Sequence, residues 1–349
     1  MKKYIYLTLL LPILFINSCK TDFDVNANWK DIPVVYCLLN PNDTIHYVKL
    51  NKAFLGEEDA YLMAAEPDSL FYSSAEVKLE RFKNGLLQET IIFEPTTEIP
   101  KEDGIFANDY NLIYKSAANL NKDGEYHLKI NIPEKTEEIS STTKLITNLQ
   151  VSNPVTYRKI NFANTTSQFL AEWKSSENAR LYEITVFFYY YEIKPGQDPE
   201  LKTIEWVQPT KTSSNNLGGE EMKQEINGGS FLNYLYNQIT NESDWDNPEI
   251  QRVVRKRAFD FRFLMGGEEL NTFIEVTRPS NGIVQEKPAY TNINNGIGVF
   301  SCRFDYTVAD LEIAQMTIDS LNAGVITKNL GFMTNSNTVT WWGTNPTLQ

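Results

Sequence analysis

The chain has 349 residues, a formal net charge of −13 and a 42% share of hydrophobic residues. That length suits two folded domains, and the hydrophobic share is ordinary for a globular protein. Because an acidic surface repels the phosphates of DNA and RNA, we expect no nucleic-acid partner.

The N-terminus has the layout of a secretory signal. Lys2 and Lys3 precede an apolar run over residues 4–15. This run is shorter than the roughly 20 residues that a permanent membrane helix needs. A basic start, a short apolar core and a small residue before the cut are typical of a cleaved signal peptide.

The residues just before position 19 indicate a lipoprotein rather than an ordinary secreted protein. They match the recognition site of the lipoprotein signal peptidase: Ile16, Asn17 and Ser18. We therefore predict a signal peptide over residues 1–18, lipidation of Cys19 and a polar tether over residues 19–30. At about 0.8 kcal/mol for each buried CH₂ group, several acyl chains together anchor a protein stably to a membrane.

The next segment has the pattern of an all-β domain. Short apolar and alternating runs over residues 33–39 and 45–50 are joined by a polar turn. The strand-like runs 75–83 and 86–93 flank Asn84-Gly85, a dipeptide that favours a type I′ hairpin turn. We interpret residues 31–149 as an immunoglobulin-like β-sandwich.

A tyrosine at the start of a later strand supports this interpretation. Tyr126 follows a glycine-containing turn and opens an alternating run that ends near Ile132. This position is similar to the tyrosine corner of immunoglobulin-like and fibronectin-like sandwiches. A further strand is expected over residues 137–146.

The second half of the chain predicts another sandwich. A strand ending in Trp173, a short turn and an alternating strand opened by Tyr182 resemble a fibronectin type III strand pair. We therefore predict a fibronectin-like β-sandwich with a helical insertion and a C-terminal extension over residues 150–349. The overall class is mainly β: two immunoglobulin- and fibronectin type III-like sandwiches, the second elaborated with short helices.

Several local elements are predicted within this second half. A helix over residues 231–239 is expected, with Ser230 as its N-cap. Strands are expected over residues 253–264, 270–277 and 338–342, with one tryptophan of Trp341-Trp342 facing inward. A short helix over residues 317–323 would end at Gly324.

Segments spread along the chain resemble a known group of proteins. They are the lipoprotein site, the Val-Val-x-x-Leu-Leu strand at 34–39, Ala75-Glu76-Val77, Gly124-x-Tyr126-x-Leu128 and the run from Tyr290 to Phe300. Together they are similar to uncharacterised outer-membrane lipoproteins of Bacteroidota that carry a domain of unknown function. The resemblance implies an outer-membrane location and association with large β-barrel transport systems, and it implies no known catalytic residues.

Motifs for catalysis or metal binding are missing from the sequence. There is no Gly-x-Ser-x-Gly, His-Glu-x-x-His or P-loop pattern, and His46 and His127 lie in strand patterns without a nucleophile motif. The acidic run 244–249 fails the EF-hand spacing and favours a polar turn over a Ca²⁺ site. We predict no enzyme activity, catalytic residue, cofactor or metal. The sequence leaves two alternatives for Cys37 and Cys302: a disulfide between them, or two buried free thiols.

The strand from Tyr182 to Tyr191 carries the candidate binding residues. Its even-numbered residues should face the core. Phe187, Tyr189 and Tyr191 would then share the opposite face, where rings lie roughly 7 Å apart. That face is either covered by the insertion over residues 192–250 or exposed as a binding patch, and the sequence favours cover by the insertion.

One basic cluster follows the insertion. It consists of Arg252, Arg255, Lys256 and Arg257. We interpret these residues as a solvated strand face whose charges pair with nearby acids. The alternative is that they contact an anionic lipid or an acidic partner.

These observations lead to a functional prediction. We expect a non-catalytic lipoprotein of the outer membrane, exposed at the cell surface, that serves as an accessory subunit of a β-barrel complex for nutrient import or barrel assembly. The alternatives are a surface module that binds glycan or peptide through Phe187, Tyr189 and Tyr191, and a hydrolase with an unrecognised site.

Overall fold

The structure is a computed structural model that describes residues 31–53, 62, 64–102, 104, 111–163, 168–278 and 289–334. The predicted signal peptide, its recognition residues Ile16, Asn17 and Ser18, the lipidated Cys19, the tether and Trp341-Trp342 lie outside the described residues. The predictions made for them therefore stay predictions.

The described residues are mainly β. The strands are β1 (Ile32–Leu39), β2 (Ile45–Ala53), β3 (Glu76–Lys83), β4 (Leu86–Thr96), β5 (Ile113–Ala117), β6 (Glu125–Asn131), β7 (Ile139–Lys144), β8 (Gln150–Asn153), β9 (Gln168–Lys174), β10 (Ala179–Ile193), β11 (Glu200–Val207), β12 (Lys211–Thr212), β13 (Glu221–Asn227), β14 (Gln251–Gly267) and β15 (Ile297–Glu312). The helices are α1 (Pro67–Leu70), α2 (Gly228–Thr240), α3 (Glu268–Thr277) and α4 (Gln315–Ala323).

Within the described residues the strands form one large and one small sheet. The large sheet has the order β11-β10-β14-β15-β1-β2-β5-β4-β3-β6-β7, with β12 added beside β10. The small sheet has the order β13-β9-β8. The two halves of the chain, before and after residue 150, thus contribute strands to the same large sheet.

The two halves join through a parallel pairing of β1 with β15. Val35 lies opposite Gly298, and the register continues to Leu39 and Cys302. Gly298 has a φ of +121°, and a Cβ on it would lie 1.9 Å from the carbonyl oxygen of Val35. A glycine is therefore required where the Asn-Gly-Ile-Gly-Val-Phe segment begins this strand.

The predicted hairpin and tyrosine corner are both present in the first half. Asn84 and Gly85 join β3 to β4 with φ angles of 52° and 75°, as a type I′ turn requires. Tyr126 is fully buried, and its hydroxyl donates to the carbonyl oxygen of Asn121 over 2.8 Å. Each feature fixes one end of a strand by a local hydrogen-bonded turn.

In the second half, the small sheet packs on the large one through aromatic rings. Trp173 of β9 lies 5.8 Å from the ring of Tyr182 and 5.6 Å from that of Phe263. The Tyr182 hydroxyl accepts a hydrogen bond from the backbone nitrogen of Ser176 over 2.8 Å. The tryptophan and tyrosine that suggested a strand pair thus lie on facing sheets.

Three helices begin at residues that the sequence did not indicate. Helix α1, for which no expectation was given above, begins at Pro67, because proline lacks only an N–H that the first turn leaves unpaired anyway. Helix α2 begins at Gly228, and its N-cap is Asn227, whose side chain accepts from the Ser230 nitrogen. Helix α4 begins at Gln315 and ends before Gly324 as predicted.

The strand predicted over residues 270–277 is wrong: this segment forms α3. Glu268 and Glu269 lie in its first turn, where carboxylates interact favourably with the helix dipole. Phe273 packs edge-on against Tyr36 with a centroid distance of 6.0 Å. The β-branched composition suggested a strand, but this contact with the sheet stabilises the helix.

The two cysteines of the described residues are free thiols. Cys37 and Cys302 are buried among the apolar side chains of the core. Burial raises the pKa of the Cys302 thiol to about 12 and that of Cys37 further. Both therefore behave as small hydrophobic side chains.

Candidate functional site: an aromatic and arginine face

The two faces of β10 have different surroundings. Its even-numbered side chains from Tyr182 to Tyr190 are buried in the core, as predicted. On the opposite face, Phe187 and Tyr189 are half-buried, and Tyr191 is 9% exposed. The alternation of a strand explains this separation.

The insertion packs on the inner face of β10, not on the outer one. Phe231 of α2 lies 5.4 Å from the ring of Phe188 and 5.9 Å from that of Trp206 on β11. The expected cover of the outer rings by this insertion is therefore wrong. The amphipathic helix packs on the inner face because it buries more apolar surface there.

An arginine lies over the first outer ring. The Arg262 guanidinium is 4.9 Å from the centroid of Phe187 and also 3.0 Å from a carboxylate oxygen of Glu205. Glu205 lies directly opposite Phe187 on β11. The ion pair holds the guanidinium in place, and the ring face attracts it.

A second arginine lies over the next ring. The Arg255 guanidinium is 5.7 Å from the centroid of Tyr189, and it pairs with Asp310 over 3.4 Å. The Tyr189 hydroxyl donates to Asp260 over 2.9 Å. Burial and this hydrogen bond raise the pKa of Tyr189 to about 12. The phenol is therefore neutral at physiological pH.

An irregularity in β14 places this second arginine. The β10–β14 register shifts between the pairs Phe188–Phe259 and Tyr190–Val254, so β14 has extra residues beside Tyr189. Such bulges commonly redirect a side chain at a functional surface. The pattern of charges in the sequence showed the cluster but not the bulge that contains it.

Tyr191 lies apart from the other two rings. It packs with Val253, and Ile193 and Met333 close over this pair. We therefore define the aromatic–arginine face as Phe187, Tyr189, Arg255 and Arg262, without Tyr191.

Apolar side chains of the edge strand border this face. Leu201 and Val207 of β11 are 47% and 50% exposed and lie opposite Tyr191 and Thr185 of β10. Paired residues of neighbouring strands project to the same side of a sheet. The outer surface therefore combines half-covered rings, exposed aliphatic side chains and neutralised charges.

The basic cluster is not a uniform solvated face. Arg252 is 1% exposed and bonds to Glu192, itself buried, at 2.9 Å and 3.0 Å. It also donates to the carbonyl oxygen of Leu330 over 2.6 Å, which ties the C-terminal segment to β14. Lys256 pairs with Glu312 at 3.8 Å. Sequence reasoning missed the buried pair of Arg252 and Glu192 because the two residues are 60 positions apart in the chain.

The histidines have structural surroundings. His46 is buried against the carbonyl oxygen of Ala118, at 3.0 Å, and burial lowers the pKa of its imidazole. His127 lies 3.0 Å from a carboxylate oxygen of Glu125. Across the described ranges, no group of three or more His, Cys, Asp and Glu side chains is arranged to hold a metal ion.

The acidic run 244–249 forms turns. The Asn247 nitrogen donates to the Asp244 carbonyl oxygen, and the Asn247 side chain accepts from the Glu249 nitrogen. Asp244 also pairs with Lys194 over 2.7 Å. These contacts engage the Asp244 carboxylate and the Asn247 side-chain oxygen in local turns and an ion pair.

Residues 20–304 match a family model, DUF4249, a domain of unknown function. The chain belongs to the DUF4249 family. The matched region includes β1 to β14 and the aromatic–arginine face, and it ends within β15. None of the curated proteins matches this chain. In the portion that the structure describes, no helix is both long and apolar enough to cross a bilayer.

Proposed function

We propose that this DUF4249 protein is a non-catalytic outer-membrane lipoprotein, anchored through Cys19 and exposed at the cell surface. In this proposal it is an accessory subunit of an outer-membrane β-barrel complex, for nutrient import or barrel assembly. It contacts the complex through the aromatic–arginine face.

The half-covered rings at this face are the observation that carries the proposal. Protein interfaces are enriched in Tyr, Phe and Arg at a partly apolar centre, with polar groups at the rim. Here Phe187 and Tyr189 form the centre, while Leu201 and Val207 extend its apolar area. The arginines are already paired with acids, so a partner need not neutralise them.

The tether limits where a partner can lie. Residues 19–30 can span at most about 40 Å when fully extended. The chain then enters the body at Asp31, which the Tyr72 hydroxyl and Lys135 contact. A body held so close to the lipid surface is within reach of a membrane-embedded partner.

The strand order supports a finer description of the fold. The small sheet β13-β9-β8 facing β11-β10-β14-β15 is the order expected for a fibronectin type III sandwich. The Tyr126 corner supports an immunoglobulin-like first domain. We propose two such sandwiches with boundaries near residues 31–149 and 150–349. Domains of this kind commonly serve as binding modules, which agrees with a non-catalytic role.

A glycan-binding role for the same face has less support. Sugar rings stack on the open faces of aromatic side chains, but the Arg262 guanidinium already lies over Phe187. Tyr191, the third ring of that hypothesis, is buried. We therefore prefer a protein partner.

The test is affinity purification after mild detergent extraction from the native membrane. We expect a β-barrel protein to co-purify with the wild-type chain and to be lost from the double variant Phe187→Ala/Arg262→Ala. Tyr157→Ala, which removes an 80% exposed ring elsewhere, is the matched control. Recovery of the wild-type protein alone at every salt concentration would contradict the proposal. Mass spectrometry of the mature N-terminus and protease treatment of intact cells check the anchor and the exposure.

A further inference from the structure

The two ends of the large sheet differ. At one end, the backbone nitrogen and oxygen of Ser140 on β7 both bond to Asn294, so this edge is covered. At the other end, β11 pairs with β10 over the eight residues from Glu200 to Val207. The register of this pairing is continuous, with no bulge of the kind that protects many edge strands. Within the described residues, no strand pairs with the outer edge of β11.

Two hydrogen bonds establish which backbone groups of β11 point outward. The Gln208 nitrogen donates to the carbonyl oxygen of Ile184 on β10 over 2.8 Å, so the even-numbered residues of β11 also point toward β10. Backbone groups alternate along a strand, and those of the odd-numbered residues therefore point away: Leu201, Thr203, Glu205 and Val207. The Tyr234 hydroxyl, which donates to the Glu205 carbonyl oxygen over 2.8 Å, agrees with this direction.

These outward backbone groups are available for pairing. Those of Leu201, Thr203 and Val207 have no hydrogen-bond partner in the ranges that the structure describes. The Glu205 carbonyl oxygen has two lone pairs, so it can accept a second hydrogen bond beside that of Tyr234. The side chains of all four outward residues are exposed. A strand of another chain can therefore pair along this edge.

From this edge we infer that two copies of the protein pair through β11, with the two strands antiparallel and related by a two-fold axis. The axis passes between the two copies of Ile204, which face each other. In this register each outward residue faces an outward residue of the second copy, as the hydrogen-bonded pairs of an antiparallel ladder require. The interface uses the same surface on both copies, which is the usual form of a protein dimer.

The side chains on the outer face of the sheet select this register. Leu201, 47% exposed, faces Val207 of the second copy, 50% exposed, so two aliphatic side chains cover each other. Thr203 faces Glu205, whose carboxylate accepts a hydrogen bond from the threonine hydroxyl. A shift by two residues in one direction places Leu201 opposite the charged Glu205. A shift in the other direction brings the two copies of Glu205 together, which is unfavourable for like charges.

The side chains on the inner face fit the same register. Ile204 is half-buried against the core and meets its own copy across the axis. Lys202 faces the half-buried ring of Trp206 of the second copy, and an indole ring attracts an ammonium group. Lys202 pairs with Glu200 over 3.1 Å in its own chain, so its charge is balanced before pairing. Neither face of the sheet therefore places like charges opposite each other.

Pairing through β11 also places two aromatic–arginine faces on one surface. A two-fold axis perpendicular to the sheet keeps the outer faces of both copies on the same side. Phe187 and Arg262 lie on β10 and β14, away from the paired edge, and stay accessible. The dimer itself depends on the backbone groups of β11 and not on the proposed β-barrel partner.

Cysteine cross-linking of the full-length chain in detergent tests the register. Facing residues of a non-hydrogen-bonded pair have Cα atoms about 4.5 Å apart, which a disulfide can bridge. Ile204→Cys should therefore form a covalent dimer under mild oxidation. Lys202→Cys is the matched control, because its two copies lie roughly 14 Å apart and should not cross-link. The native Cys37 and Cys302 are buried and do not compete, and the unsubstituted chain gives the background.

Proline on the outer edge separates pairing from folding. Thr203→Pro removes an N–H that bonds to no residue of the described chain, and edge strands tolerate proline at such positions. The two-fold axis repeats this loss, so we expect the dissociation constant of the dimer to rise by about tenfold or more. Thr203→Ala, the matched control, should stay dimeric. Analytical ultracentrifugation measures the dissociation constants, and circular dichroism checks that both variants fold.

The outcomes distinguish self-pairing from the proposed docking. Phe187→Ala/Arg262→Ala should leave the dimer intact even where it loses the β-barrel partner. A purified protein that is monomeric at every concentration tried, or equal cross-linking of Ile204→Cys and Lys202→Cys, would overturn the inference. So would a monomer whose Thr203→Pro variant loses a co-purifying protein, because a strand of that protein would then occupy the edge.

Discussion

The two faces of β10 contain the same kinds of side chain and differ in what packs against them. On the inner face, Phe188 and Tyr190 are buried beneath α2 and the C-terminal segment. On the outer face, paired arginines lie over the half-buried rings of Phe187 and Tyr189. The comparison indicates that inner rings contribute mainly to stability, while outer rings contribute less because they stay partly exposed at the surface.

The buried ion pair at the end of the inner face should have the largest effect. Arg252→Ala removes the buried partner of the Glu192 carboxylate and leaves it with the partly exposed Lys194, 3.4 Å away, so we expect a loss of about 3–5 kcal/mol in the free energy of unfolding. Urea denaturation measures this loss. The double variant Glu192→Leu/Arg252→Met should recover most of it, because it removes both buried charges. A single variant as stable as wild type would mean that the pair does not fix this end of the strand.

Adjacent phenylalanines give the direct comparison of the two faces. Phe188→Ala should lower the free energy of unfolding by about 3–5 kcal/mol, since it opens a cavity among packed rings. Phe187→Ala should lower it by only about 1 kcal/mol, because that ring is half-exposed already. Chemical denaturation of both variants checks the ratio. Equal losses would remove the distinction between a stabilising face and an available one.

The smallest expected effect is a pH dependence at Tyr189. Its pKa of about 12 lies above the ordinary value of about 10, so the folded state holds this proton more tightly than the unfolded state. The resulting stabilisation is complete below about pH 10 and is lost as the pH rises toward 12. Tyr189→Phe should therefore lose less stability than wild type over this interval, measured by denaturation midpoints. Tyr157→Phe is the exposed control, and a Tyr189→Phe profile that parallels it would contradict the assignment.

Local patterns predicted much of the fold. The alternation in β10, the Asn84-Gly85 turn and the Tyr126 corner depend on residues close together in the chain, so the sequence alone was sufficient for them. For α3, the spacing of Leu270, Phe273 and Ile274 was an available helical signal, but β-branched neighbours obscured it.

Contacts between distant segments were not predictable in this way. The cover of Phe187 by Arg262 depends on the register of β10 with β14, and the burial of Arg252 depends on a partner 60 residues away. Composition identified the aromatic residues but could not assign their neighbours.

The parallel pairing of β1 with β15 has a consequence for how the protein matures. One edge of β1 pairs with β2, but its other edge cannot pair until residues 297–302 of β15 have been synthesised. Contacts between such distant segments form slowly, because a long loop must close first. Until those residues arrive, one edge of β1 stays unpaired, and an unpaired strand edge can pair with other chains.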